Sequence, residues 1–301
     1  SAYQLYGDGS NLSNVGWTPD SDESLYAGTD AGKCQGTSGG NCFNVAVGFH
    51  AGCQLGNGSS QGDANVFVGC CAGALVTSGL FNTFIGSGAG AKVTAGHYNI
   101  AFGHSALSNA SVTGSANISL GKFSGYCATS AAENIFIGSH AGKCTDDGGC
   151  NIMIGKDAGC KSVGGTNNIG VGHGAMAWCD TTGADNITLG VNAGWHISSG
   201  ARNIFMGCQA GKYAATVSDT IAMGRFSGKV AGGGDGNIFL GAYSGSQSGT
   251  AADNDASYNV AIGYQAACSL TDGDNNVILG LNSGKLTTTG SANVIIGNYA
   301  G

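Results

Sequence analysis

"NIFIGSHAGKCTDDGGCNIMIGKDAG", residues 134–159, states one short phrase twice. Asn134-Ile-Phe-Ile-Gly138 returns 17 residues later as Asn151-Ile-Met-Ile-Gly155, and Ala141-Gly142 returns as Ala158-Gly159. Self-similarity at a short fixed period marks an architecture of stacked units, each too small to bury its own apolar face. The phrase reads Asn, apolar, any residue, apolar, Gly, two variable residues, Ala or Ser, and usually Gly. It begins at Asn44, Asn65, Asn82, Asn99, Asn117, Asn134, Asn151, Asn168, Asn186, Asn203, Thr220, Asn237, Asn259, Asn276 and Asn293, with Ser24-Leu-Tyr-Ala-Gly28 as a degenerate sixteenth copy. From Asn65 onward the steps are 17 or 18 residues, except for 22 between Asn237 and Asn259. The final copy closes on Gly301, which suggests that more protein follows.

Composition narrows the class. Glycine supplies 57 of 301 residues and proline one, without the every-third-residue glycine of collagen. A 42% hydrophobic content in regular pattern can build a core, which argues against disorder. No apolar run reaches the length of a membrane span, and no signal peptide is visible. A net charge of −7 with scattered Lys and Arg argues against a nucleic-acid partner, which requires a basic patch.

The phrase fixes a fold when its positions are taken in turn. Branched residues at positions 2 and 4, such as Ile152 and Ile154, read as a short β-strand with one buried face. Glycine at position 5 in all fifteen copies marks a turn that needs φ > 0. The small residue at position 8 and Gly at position 9 suggest a second bend or the approach of a neighbouring rung. A looser second strand is expected next, as at Lys285–Thr289, and then a turn such as Gly290-Ser-Ala292. This is one rung of a parallel β-solenoid. The expected architecture is all-β: residues 1–23 form an N-terminal linker or cap, and residues 24–301 about 16 rungs with the recurring Asn as a ladder. At about 4.8 Å per rung the rod is roughly 75 Å long.

Position 3 is apolar in most copies: Phe67, Phe84, Phe136, Met153, Phe205, Phe239, Ile278 and Ile295 stand out. If positions 2 and 4 face the core, position 3 faces outward, and an apolar stripe of that length must be covered. Identical chains around a common axis supply the cover, and a closed bundle of three hides an edge of every chain. The competing reading places position 3 inside a wide single solenoid.

Segments such as "NVAIGYQAA" (259–267) and "NTFIGSGAG" (82–90) resemble the head repeats of trimeric autotransporter adhesins. They resemble still more the related repeats of bacteriophage fibre and virion structural proteins. "LYGDGSNLSNVG" (5–16) is similar to a linker of phage fibres. The resemblance covers nearly the whole chain. It implies a left-handed β-roll, a homotrimer and a shaft or attachment role; the expectation for the whole is a non-enzymatic virion structural protein with other virion or surface proteins at its ends. It departs from the adhesins in its longer period and its cysteines. A bacterial surface adhesin head and a subunit of an extracellular filament remain the alternatives.

Twelve cysteines are many for a thin rod. Cys34 with Cys42, and Cys144 with Cys150, are candidate disulfides that each close one surface loop. Pairing between same-register cysteines of adjacent rungs, Cys34 with Cys53 or Cys160 with Cys179, is the competing assignment, and spacing alone does not choose. No zinc spacing, H-x-H pair, calcium repeat or nucleophile–base–acid set is present, so no catalytic residue, metal or cofactor is expected. Asn117-Ile-Ser119 and Asn186-Ile-Thr188 match glycosylation sequons but use the ladder Asn. Extra length gathers at Gly32–Asn44, Gly52–Asn65 and Gly245–Asn259. The last of these offers Gln247 and Tyr258 as a candidate receptor-facing loop for a cell-surface glycan.

Overall fold

The structure is a computed structural model and describes residues 23–33, 42–56, 62–109, 112–229, 234–246 and 255–301. Each copy of the phrase opens with a three-residue strand, from β1 (Leu25–Ala27) to β16 (Val294–Ile296). All sixteen pair in parallel, in sequence order, in one sheet. The register is phrase on phrase: Ile135 over Ile152, Phe136 over Met153, Ile137 over Ile154. The chain is an all-β parallel β-solenoid with a 17-residue period, and the described residues include no helix.

The ladder is Asn in every rung but the first and the one at Thr220, and it is buried up to the exposed Asn293 of the last rung. The Oδ1 of each Asn accepts the backbone N–H of the Asn one rung on, as in Asn151 N to Asn134 Oδ1 at 2.8 Å and Asn168 N to Asn151 Oδ1 at 2.9 Å. Its Nδ2 donates to the turn carbonyl that closes its own rung, Asn151 to Gly165 at 2.8 Å. Each Asn thereby satisfies a corner of backbone that has no water to turn to. In the degenerate first copy Ser24 Oγ takes the same role, accepting from Asn44 N at 3.0 Å. Asn117 and Asn186 are fully buried, so their sequons offer no accessible amide.

Position 5 is glycine for two reasons. Gly155 has φ +129°, and a β-carbon there would lie 2.6 Å from the carbonyl oxygen of Gly172 on the next rung. Only a residue without a side chain lets the rungs close at this corner.

The parity of the strand is the reverse of the sequence expectation. Phe67, Phe84, Phe136, Phe205, Met153 and Ile278 are fully buried within the single chain, Phe239 is 4% exposed, and Ile295 packs on the core at the rod's end. They fill the interior and cannot form an interface between chains. A three-residue strand directs its middle side chain to one face and its flanking two to the other. Here the middle one points inward, joined by position 8 (Ala141, Ala158) and position 12 (Leu55, Val76, Ile197).

Position 9 explains how so narrow an interior holds a phenyl ring. A side chain at Gly142 would run into the ring of Phe136, and one at Gly73 would meet the Phe67 ring at 2.8 Å. The glycine makes room for the position-3 side chain of its own rung or, where that residue is small, for that of the next: a side chain at Gly52 would meet the Phe67 ring and one at Gly125 the Phe136 ring. In two rungs the sizes are exchanged: Ala101 goes with Leu107 and Gly170 with Met176, and both large residues are fully buried at φ near +50°. The expected second strand is absent among the described residues. Turns occupy that side, tied rung to rung by bonds such as Gly142 N to Ala158 O at 2.9 Å.

Candidate functional site

With position 3 inside, positions 2 and 4 form the outer face of the sheet. From Val45 and Val47 through Ile135 and Ile137 to Val277 and Leu279 this face is aliphatic in nearly every strand; Thr83 is its one hydroxyl. Stacked neighbours shield each other along the rod, so most of these side chains are half-buried, while Ile100, Phe102 and Ile262 are 41%, 56% and 40% exposed. The outward stripe therefore exists, one residue out of register from the sequence expectation.

Beyond the glycine corner the chain turns onto a second wall, built by positions 6, 7, 10 and 11. Position 7 is left-handed in every described rung, with non-glycine residues such as His140, Asp157 and Asn192 at φ between +53° and +60°. Its side chains stack in a column: His140 Nδ1 lies 3.2 Å from Asp157 Oδ1, and the His140 ring stacks on Phe123 at 5.6 Å.

The most structured part of this wall lies around Trp178 and Trp195. Backbone hydrogen bonding sets them on adjacent rungs, Trp178 N donating to Trp195 O at 3.0 Å. Their indoles meet edge to face, with centroids 5.5 Å apart and planes at 88°. His196 stacks on Trp178 at 6.0 Å and Tyr213 follows at 5.2 Å from His196. Lys161 Nζ lies 5.2 Å above the Trp178 ring, and Lys212 Nζ 4.6 Å above the Trp195 ring. Burial among these groups, and then the charge of Lys212, lower the His196 pKa, so the ring is neutral near pH 7.

Two clefts share the indole pair. One, of about 270 Å³, is lined by Asp157, Cys160, His173, Gly174, Ala177, Trp178, Asn192 and Trp195. The other, of about 390 Å³, lies between Trp178, Trp195, His196, Lys212 and Tyr213. Gly174 lies in the lining of the first. At that place in the position-7 column the neighbours Asp157 and Asn192 carry side chains and Gly174 carries none. The signal was present in the sequence, since Trp178 and Trp195 lie one period apart.

The other predicted sites fare differently. Cys144 and Cys150 are both free thiols in different columns, so they do not close a loop. Cys144 stands beside Cys127 and Cys160, and burial raises its pKa. Cys150 Sγ donates to Glu133 Oε2 at 3.3 Å, which raises its own. Cys160 Sγ donates to Ala177 O at 3.0 Å and Cys179 Sγ lies 3.6 Å from His196 Nδ1, so these two are not bridged either. Cys34 and Gln247 lie outside the described residues, so neither the Cys34–Cys42 nor the Cys34–Cys53 pairing is described. Tyr258 is 65% exposed and its ring lies over Gly236 of the preceding rung. Among the described residues no three His, Cys, Asp or Glu side chains converge as metal ligands. No protein-family model matches the chain, and a search of curated proteins likewise returns no match.

Proposed function

We propose that the chain is the β-roll shaft or head of a virion fibre, assembled as a homotrimer and serving attachment to a host surface. The observation that carries this reading is the outward aliphatic stripe at positions 2 and 4. Sixteen strands at about 4.8 Å give it a length near 75 Å and, two side chains wide, roughly 750 Å², on the scale of one partner's share of a stable interface. Aliphatic ridges at this spacing interlock along their whole length only with a surface of the same period, which a second copy of the chain supplies. Three copies closed around a common axis cover every stripe and leave no open interface.

Such a rod acts mechanically. Its stiffness holds binding groups away from the particle, and symmetry repeats each group three times, so weak single contacts add up. Sedimentation of the purified chain tests the reading. A species of three times the 29.6 kDa chain mass is expected. Ile137→Asp together with Ile154→Asp, on the outer face of adjacent rungs, should weaken it toward monomer while the β-sheet signal persists. A monomer for the parent chain would overturn the assembly.

A further inference from the structure

We propose that the cleft walled by Trp178 and Trp195 binds a pyranose ring of a surface glycan. This rests on reading the rod as an attachment structure, and supplies that reading with its ligand. A pyranose has a face of C–H groups and a rim of hydroxyls. The C–H face, with its partial positive charge, matches the negative face of an indole, and the rim needs paired donors and acceptors at the edge of that indole. The cleft has both. Two indoles at right angles form an apolar corner, and Asp157, His173 and Asn192 converge on its rim. A mostly apolar cleft with a few polar groups fixing orientation is the general form of a small-ligand site.

Three further features favour this occupant. First, Gly174 has no side chain between Asp157 and Asn192 in the position-7 column, so Asn192 Oδ1 can reach over it to the rim of the cleft; a β-carbon at Gly174 would collide with it. Second, the lining of the first cleft carries the Asp157 carboxylate and no Lys or Arg, since Lys161 and Lys212 lie over the indole rings outside that lining, so a phosphate finds no cation within this cleft. Third, the second cleft continues from the first over Trp195 toward Tyr213, so a chain of sugars has a path along the wall. This wall differs from the one that carries the aliphatic stripe, so assembly leaves it open.

The test uses the full 301-residue chain on a printed glycan array, followed by saturation-transfer NMR with the methyl pyranosides of the sugars retained. Saturable binding is expected, with transfer strongest at C–H protons of one sugar face. Trp178→Ala and Asp157→Asn should each weaken it at least tenfold. Gly174→Asn, a residue type that tolerates the left-handed φ of +65° there, should displace Asn192 from the rim, obstruct the cleft and weaken binding to a similar degree. Tyr98→Ala, an exposed ring in another column, should leave affinity unchanged. Sedimentation of each variant separates loss of the cleft from loss of the rod. Absence of any retained glycan, undiminished binding by Trp178→Ala and Gly174→Asn, or stronger transfer to adenosine monophosphate than to any sugar would each overturn the proposal.

Discussion

The ring of Phe136 occupies the space that a side chain at Gly142 would need. The two residues are one packing unit whose volume is shared, and rungs elsewhere share it differently, as Ala101 with Leu107 does. Phe136→Ala should therefore destabilise by about 3–5 kcal/mol through the cavity it leaves. Gly142→Leu alone should also destabilise, by overpacking. The double variant should recover much of both losses, because Leu107 already adopts the required conformation at φ +49°. A thermal-unfolding double-mutant cycle measures the coupling, and additive losses would refute a shared volume.

The ladder has one substitution that chemistry can repair. Thr220 Oγ1 accepts Asn237 N at 3.2 Å but offers no amide to its own closing turn. Asn237 Nδ2 compensates, donating to Gly234 O at 3.1 Å as well as to Ala256 O at 2.7 Å. Thr220→Asn should stabilise the rod by about 1 kcal/mol, the usual net worth of a buried hydrogen bond. Asn151→Ala, which orphans buried groups on two rungs, should cost about 2–4 kcal/mol by the same reasoning. Melting temperatures of the two variants should move in opposite directions.

Ser119 stands at the inward position among aliphatic and aromatic residues, and its Oγ is buried with no hydrogen-bond partner. Ser119→Ala should raise stability by about 1 kcal/mol, since it removes an unsatisfied polar atom and almost no volume. Denaturant midpoints compared at equal m-value check the sign.

His196 gives the aromatic wall a pH dependence. Its folded pKa lies below the ordinary 6.5. Between those two values the unfolded chain binds more protons than the folded one, so stability rises with pH. The contribution is complete above about 6.5 and is lost as pH falls through the folded pKa. Melting temperature measured from pH 7.5 down to pH 5 should fall more steeply for the parent chain than for His196→Gln. Equal slopes would remove His196 from the acid response.

Period, strand position, glycine corner and Asn ladder were legible in sequence because each repeats with the rung and each is enforced by backbone geometry. The parity of the strand was not. In Ile135-Phe136-Ile137 all three residues are apolar, so no alternation separates inside from outside, and both faces of the sheet are built from the same residue types. The available signal was a size exchange confined to some rungs, Phe136 with Gly142 against Ala101 with Leu107 and Gly170 with Met176, while Ala46 with Gly52 and Ala222 with Gly228 do not show it. A residue whose bulk is balanced by another in its own rung must share an interior with it. The tryptophan cleft was hidden for another reason. It depends on which side chains the wall stacks and where one is missing, and Gly174 looks like any other glycine until Asp157 and Asn192 are placed beside it.

The hydrogen bonds that join rungs all run along the rod, and this decides how it bears load. Tension applied at its ends passes through every rung in turn, so the links act in series and none is spared. The strength of the whole is then the strength of its poorest joint, however many rungs are added. Along the Asn column the joints are 2.8–3.1 Å, and at Thr220 to Asn237 the distance opens to 3.2 Å with the amide partner missing. The force needed to part a stretched single rod should therefore not grow with the number of rungs, and comparing the parent chain with Thr220→Asn shows whether this step is the weakest joint.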